Sequence, residues 1–328
     1  MAPCLRNAAI LVTGGAGFIG SHLAEAFLAQ DNTVVCLDNL STGHRENIAP
    51  FLSHPRFTFI EGDIRSPADC RRAVQGVDFV SHHAALASVP ASIDDPATAN
   101  DVNIGGFVNI LHAAAEARVR RFVYASSSAV YGDDPALPKR EETTGAPLSP
   151  YALAKSVDEQ YAALFRKLYG IETVGFRYFN VFGRRQDPEG AYAAVIPRFF
   201  QAYLAHTAPV INGDGANTRD FVHVSNVVHA NQLALLASAP AALDTVYNIA
   251  CAESTTLNDL ADAIRDVLLP FDPAVAEIRP LHGPARPGDI PHSLASIDKA
   301  RRLLGYAPAI LYRPGLREAA PWYRQTLS

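Results

Sequence analysis

Tyr151 and Lys155 lie four residues apart in the run Ser-Pro-Tyr-Ala-Leu-Ala-Lys. On a helix this spacing puts both side chains on one face. A phenol ordinarily ionises near pH ~10 and is a poor base at neutral pH. A neighbouring ammonium, or a positive nicotinamide ring, stabilises the phenolate and makes it a usable proton acceptor. Such a group can take the proton of a hydroxyl while hydride leaves the same carbon. Lysine can also hold a ribose. The triple serine Ser126-Ser127-Ser128 follows an apolar run, where a hydroxyl can bond the reacting oxygen. A place for the hydride acceptor lies far upstream, in the turn Gly14-Gly15-Ala16-Gly17-Phe18-Ile19-Gly20. Glycines there let the backbone approach a pyrophosphate, and a following helix adds N–H donors and partial positive charge. Together these residues suggest nicotinamide redox chemistry at a sugar or alcohol carbon.

The glycines are spaced Gly14-x-x-Gly17-x-x-Gly20, not in the commoner Gly-x-Gly-x-x-Gly pattern. Asp38 follows Gly20 by 18 residues, at the end of the next apolar run. A carboxylate there accepts hydrogen bonds from both ribose hydroxyls and repels a 2′-phosphate, which favours NAD over NADP. Asp63 ends a further strand, where a short polar side chain reaches an adenine or simply caps a turn.

The elements that must position these groups read clearly. Buried strands are expected at residues 8–12, 33–37, 57–60, 77–80, 122–125 and 173–176, with helical patterns between most of them. A helix is expected from Ser21 to Gln30. This alternation predicts an α/β chain with a doubly wound parallel sheet of the Rossmann type. Two further helices stand out. One runs from about Val102 to Arg118, with Phe107, Ile110, Leu111 and Ala114 on one stripe. The other starts near Pro150 and carries Val157, Tyr161, Leu164, Phe165 and Leu168. Their outer faces offer a bundle for a homodimer, or they merely pack on the sheet. After Gly183, proline and glycine clusters recur, which predicts a smaller, loop-rich second domain. The expected division is a nucleotide domain over 1–182, with a return segment near 220–240, and a substrate domain over 183–328.

Bulk properties narrow the classes. The 328 residues can bury a large core. A formal net charge of −5 argues against broad nucleic-acid binding, which wants a basic face. Cys4, Cys36, Cys70 and Cys251 fall at no metal-ligand or redox-motif spacing, so reduced thiols in the cytoplasm are expected, with no metal. Residues 1–7 are too short and polar for a signal peptide. No run of about 18 apolar residues predicts a membrane span.

With Ser-Ser-Ser-Ala-Val-Tyr-Gly (126–132) and Arg-Tyr-Phe-Asn-Val-Phe-Gly (177–183) added to the glycine turn and the Tyr-Lys run, the chain resembles the extended short-chain dehydrogenase/reductase family. Within it the chain is similar to the nucleotide-sugar 4-epimerases over nearly all its length. The resemblance implies roles residue by residue. Gly14, Gly17, Phe18, Ile19 and Gly20 would lie along the NAD pyrophosphate, and Asp38 and Asn39 on the adenosine ribose. Asp63 and Ile64 would sit near adenine. Ala84, Ala85 and Leu86 would line the cofactor, with Tyr178 and Phe179 beside the nicotinamide. Ser127 takes the catalytic serine position, with Tyr151 and Lys155, and Ser128 could assist. Asn180 would contact the UDP phosphates. Ala193, Val195 and Ile196 match a uracil-contacting segment. Arg219, Arg286 and Asp289 match the diphosphate and uridine-ribose contacts.

The implied reaction is transient oxidation at C4, rotation of the 4-keto sugar on its diphosphate tether, and hydride return to the opposite face. Dehydrating relatives carry an Asp-Glu pair just after the catalytic hydroxyl residue, and decarboxylating ones a nearby glutamate. This chain has Ser128 and Ala129 there, so simple epimerisation is expected. Galactose epimerases usually have lysine at Ala87 and often tyrosine at Ser293. The small Ser293 leaves room for a 2-acetamido group, and with Ser88, Gln186 and the 187–193 segment the chain most resembles the UDP-N-acetylglucosamine or uronic-acid 4-epimerases. UDP-N-acetylglucosamine is therefore the expected substrate. UDP-glucose, a uronic-acid 4-epimerase, and a decarboxylase or dehydratase of the same family stand as alternatives. A non-catalytic dinucleotide sensor would not need the Tyr-Lys pair, which this chain keeps.

Overall fold

The computed structural model describes residues 4–188, 194–285 and 291–327. Six strands alternate with helices through the first half: β1 (Ala9–Thr13), β2 (Thr33–Asp38), β3 (Phe57–Glu61), β4 (Phe79–His82), β5 (Arg121–Ser127) and β6 (Glu172–Tyr178). A later strand, Thr245–Ile249, joins the far edge. The order across the sheet is Thr245–Ile249, β6, β5, β4, β1, β2, β3. Every pairing is parallel. The sheet therefore grows outward in both directions from the β1–β4 junction, the switch point where α/β folds bind ligands.

The apolar runs of the central strands follow from burial on both faces. Along β1, Ile10 and Val12 enter one core with Leu23 and Phe27 of helix α1 (Phe18–Leu28), and with Val227 and Ala234 of the helix Val224–Leu236. Leu11 points the other way, into a core with Phe107, Ile110, Leu111 and Phe165. A third core lies among the helices Val195–Leu204, Leu257–Leu268 and Tyr312–Leu327, around Phe199, Phe200, Ile264 and Tyr323. The sheet also draws on late residues: Ala300, Leu304 and Tyr306 belong to the α1 core.

Two helices differ from their expected bounds. α1 begins at Phe18, not Ser21, because Gly17 already serves as its N-cap inside the glycine turn. The stretch from Val102 is not uniformly α-helical: Asp101–Gly105 is a wide π-type turn, and the α-helix proper spans Gly106–Glu116. Asn103 in that turn is spent on Leu86, accepting from its N–H at 2.8 Å and donating to its carbonyl at 3.1 Å. This bond pulls the segment toward the loop after β4, and a π-turn absorbs the extra residue. No helix among the described residues is long and apolar enough to cross a membrane.

Candidate active site

The C-terminal ends of β1, β2, β4, β5 and β6 open onto a cleft of about 600 Å³. Gly14 leaves β1 at φ +66°, and a Cβ there would sit 2.7 Å from the backbone nitrogen of Ala84. A Cβ on Gly20 would reach within 2.1 Å of the Gly14 carbonyl oxygen. Only glycine lets the turn and the start of α1 pack this closely. Gly17 caps α1 without a side-chain hydrogen bond, so the first N–H groups of the helix lack a side-chain partner from their cap. Gly14, Gly17, Phe18, Ile19 and Gly20 all line the cleft.

Asp38 closes the adjacent wall. Its carboxylate is nearly buried and accepts from the N–H groups of Ala16 (2.9 Å) and Leu40 (2.8 Å). Burial pushes its ionisation up, and those amides pull it back. The fixed carboxylate thus joins the glycine turn to the end of β2. Asn39 donates to Asp63 at 2.9 Å, and Arg65 grips the same carboxylate at 2.7 Å. Arg65 holds Asp63 down to about 2. Asn39, Asp63, Ile64, Ala84, Ala85 and Leu86 line the cleft as well. Thr13 ties the ends of β1 and β4 together, its hydroxyl oxygen taking the N–H groups of both His83 and Ala84 at 3.2 Å.

Across the cleft stand Ser127, Tyr151 and Lys155. The helix Pro150–Tyr169 is well delimited: Ser149 caps it by accepting from Ala152, Pro150 opens it, and Gly170 at φ 76° ends it. Its first turn is braced by Ser92, whose hydroxyl accepts the Tyr151 N–H at 3.1 Å. Lys155 is buried and donates to Asp158 at 3.2 Å. The three serines differ in their partners. Ser126 and Ser127 both line the cleft, but Ser126 is engaged, donating to Glu159 at 2.6 Å, and Ser128 begins the 3-10 turn Ser128–Tyr131. Glu159 in turn pairs with Arg177 at 2.8 Å, fastening the helix to β6. Tyr178 lines the cleft with its phenol pushed up by burial. Asn231 donates to that hydroxyl at 2.8 Å, and His83 stacks on the ring.

A second cavity, about 630 Å³, is lined by Asn180, Val195, Ile196 and Arg219. Phe179 lines the first cleft and Asn180 the second, so the two meet across one peptide bond. Ala87 lines the first. Ser293 borders Arg219 through the backbone, its N–H donating to Thr218 at 3.1 Å. Ser88 is occupied as the cap of the short helix Val89–Asp94. Ala193, Arg286 and Asp289 lie outside the described residues. Other residues not expected from the sequence also line the cleft, among them His83, Arg65 and the Ser41-Thr42-Gly43 turn after β2. The turn residues were a readable signal. His83 was not, since its neighbour His82 looks the same in sequence and is instead buried under Phe107 and Phe122.

Residues 10–250 match the model of the NAD-dependent epimerase/dehydratase family. A putative UDP-glucose 4-epimerase of Methanocaldococcus jannaschii is 38% identical over 317 residues, covering 96% of this chain and 98% of its own. The solved UDP-N-acetylglucosamine 4-epimerase of Methanobrevibacter ruminantium, in complex with UDP-N-acetylmuramic acid, superposes with a TM-score of 0.91 at 39% identity, covering 98% of this chain and all of that one. The UDP-glucose 4-epimerase of Thermus thermophilus, solved with NAD, gives 0.84 at 34% identity, covering 96% of this chain and 99% of that one.

Proposed function

This chain belongs to the NAD-dependent epimerase/dehydratase family, and on that footing we propose that it is a UDP-hexose 4-epimerase whose substrates are UDP-N-acetylglucosamine and UDP-N-acetylgalactosamine. One observation carries the reading: Ser127, Tyr151 and Lys155 converge on the same cleft as the glycine turn and Asp38. The residues fit a dinucleotide. Gly14, Gly17 and Gly20 of the turn line the cleft without side chains, α1 starts there without a side-chain cap, and Asp38 offers a fixed carboxylate. Bound NAD would supply the acceptor, and then the donor, of the C4 hydride.

The protein's own groups do the rest. Tyr151 takes the proton from the C4 hydroxyl and later gives it back. Lys155 favours the phenolate by its charge. Ser127 donates a hydrogen bond to the oxygen as it becomes a carbonyl. Asn180 and Arg219, in the second cavity, hold the diphosphate while the sugar turns. In this reading residues 1–182 with the return near 220–240 serve the dinucleotide, and residues 183–328 the UDP-sugar.

The choice of reaction rests on Ser128 and Ala129, where no carboxylate is available to move a second proton. The choice of sugar rests on the small Ser293 bonded to Thr218 next to Arg219, on the small Ala87 in the cleft lining, and on the similarity to a UDP-N-acetylglucosamine 4-epimerase. The same reading takes the exposed Leu153, Leu164, Leu168 and Tyr169 as a homodimer face. Purified enzyme should be incubated with UDP-N-acetylglucosamine and UDP-glucose separately, and the products identified by NMR and mass. The expected product is the C4 epimer of unchanged mass from the acetamido sugar. A strong preference for UDP-glucose rejects the substrate reading, and a lighter product rejects the reaction. Tyr151→Phe should keep its dinucleotide and lose turnover by about 10²- to 10⁴-fold.

A further inference from the structure

Tyr151, Lys155 and Asp158 are spaced i, i+4, i+7 on one face of the Pro150–Tyr169 helix. Asp158 is wholly buried, and Lys155 nearly so. One carboxylate oxygen takes the lysine ammonium at 3.2 Å, and the other, Oδ1, has no hydrogen-bond partner among the described residues. A structural carboxylate would be expected to fill both oxygens, because a half-satisfied buried charge is costly. We propose that Asp158 is a positioning residue that sets how much of the Lys155 charge reaches Tyr151.

The logic is electrostatic. With Asp158 ionised, Lys155 is half of a buried ion pair, and its field at Tyr151 is largely cancelled. With Asp158 protonated, its acid group still accepts the lysine N–H, and the full positive charge acts on the phenol. Burial pushes Asp158 up to about 7, with Lys155 pulling against it, so both forms are accessible near neutrality.

The other groups facing the pair do not do this. Glu159, next along the helix, is taken up by Arg177 at 2.8 Å. Tyr124 on β5 stays protonated, because burial and the two carboxylates push it up. His82 and His83, beside Lys155 from β4, are kept neutral by burial.

The inference rests on Tyr151 being the proton acceptor, and the test keeps the two apart. Holoenzyme is titrated while following the ultraviolet absorbance of tyrosinate, with Tyr151→Phe subtracted, and the pH dependence of kcat and KM is recorded. In the wild type two groups titrate against each other, so the tyrosinate curve should be broader than a single proton allows. In Asp158→Asn, and in the smaller Asp158→Ser, it should be a single-proton curve lying about one pH unit lower. The acid limb of kcat should move with it while KM changes less than about twofold. A merely structural role would lower kcat equally at every pH. A single-proton curve in the wild type, or unmoved curves in a folded variant, overturns the inference. Should Tyr151→Phe retain turnover, the proton-acceptor assignment itself fails.

Discussion

The Tyr151 hydroxyl and the Asp38 carboxylate mark two ends of one cleft, and each can be tested alone. Asp38 holds Ala16 and Leu40 through both its oxygens. Any ribose bond is made on top of these. Replacing it with alanine removes a charged acceptor, a class of hydrogen bond that contributes about 1.5–3 kcal/mol. Asp38→Ala should therefore bind NAD about 10- to 100-fold more weakly, by calorimetry. Its discrimination against NADP should shrink as well, since the charge that repels a 2′-phosphate is gone. Unchanged affinity for both cofactors would move the ribose contact elsewhere. Residue chemistry was partly legible in the sequence. Turn glycines and a strand-end aspartate announce themselves by spacing. Asp158 does not, because a charged residue three positions after a lysine reads as a solvated helix face, and only the fold shows that this face is buried.

At the scale of elements, the Pro150–Tyr169 helix matters most, since it presents Tyr151 from its first turn. That turn depends on the Ser149 cap and on Ser92. Ser149→Ala should lower unfolding free energy by about 1 kcal/mol in urea titration. If Tyr151 is the proton acceptor proposed above, the variant should cost more in kcat than in KM. Farther along, Leu164 and Leu168 are 45% and 65% exposed. Exposed leucines at i, i+4 on a long helix suit a partner helix. If the proposed homodimer forms through this face, Leu164→Glu with Leu168→Glu should convert it to monomer in sedimentation; a wild type that is already monomeric discards the dimer. The six strands of the first half were readable as apolar runs because helices cover both faces of the sheet. Thr245–Ile249 was not, because it carries Asn248, whose side chain is buried and bonds Tyr131, Lys139 and Ser296. A polar residue in mid-strand hides the strand from any hydropathy pattern.

For the molecule as a whole, Asp220 is a point where distant segments are tied. It is buried and accepts from Cys251 at 2.8 Å and Ala295 at 3.4 Å. Burial pushes it up to about 7, with the amides pulling back. The folded chain thus keeps a proton that an unfolded one releases near pH ~4. This contribution to stability is full below about pH 4 and is lost as pH rises through about 7. Asp220→Asn cannot ionise, so its melting temperature should fall less between about pH 5 and about pH 8 than that of the wild type. Equal slopes would place the effect on another group.

The strand Thr245–Ile249 carries one more consequence. It is the neighbour of β6, yet it leaves the ribosome only after about three-quarters of the chain has been made. Until then β6 presents unpaired amides and carbonyls to its surroundings. A nascent or truncated chain ending at residue 182 should accordingly be sticky and prone to aggregate, whereas one extended through residue 250 should stay dispersed in a light-scattering assay. The seven-stranded sheet is thus finished by a segment synthesised after the helix Val195–Leu204 and the strands that follow it.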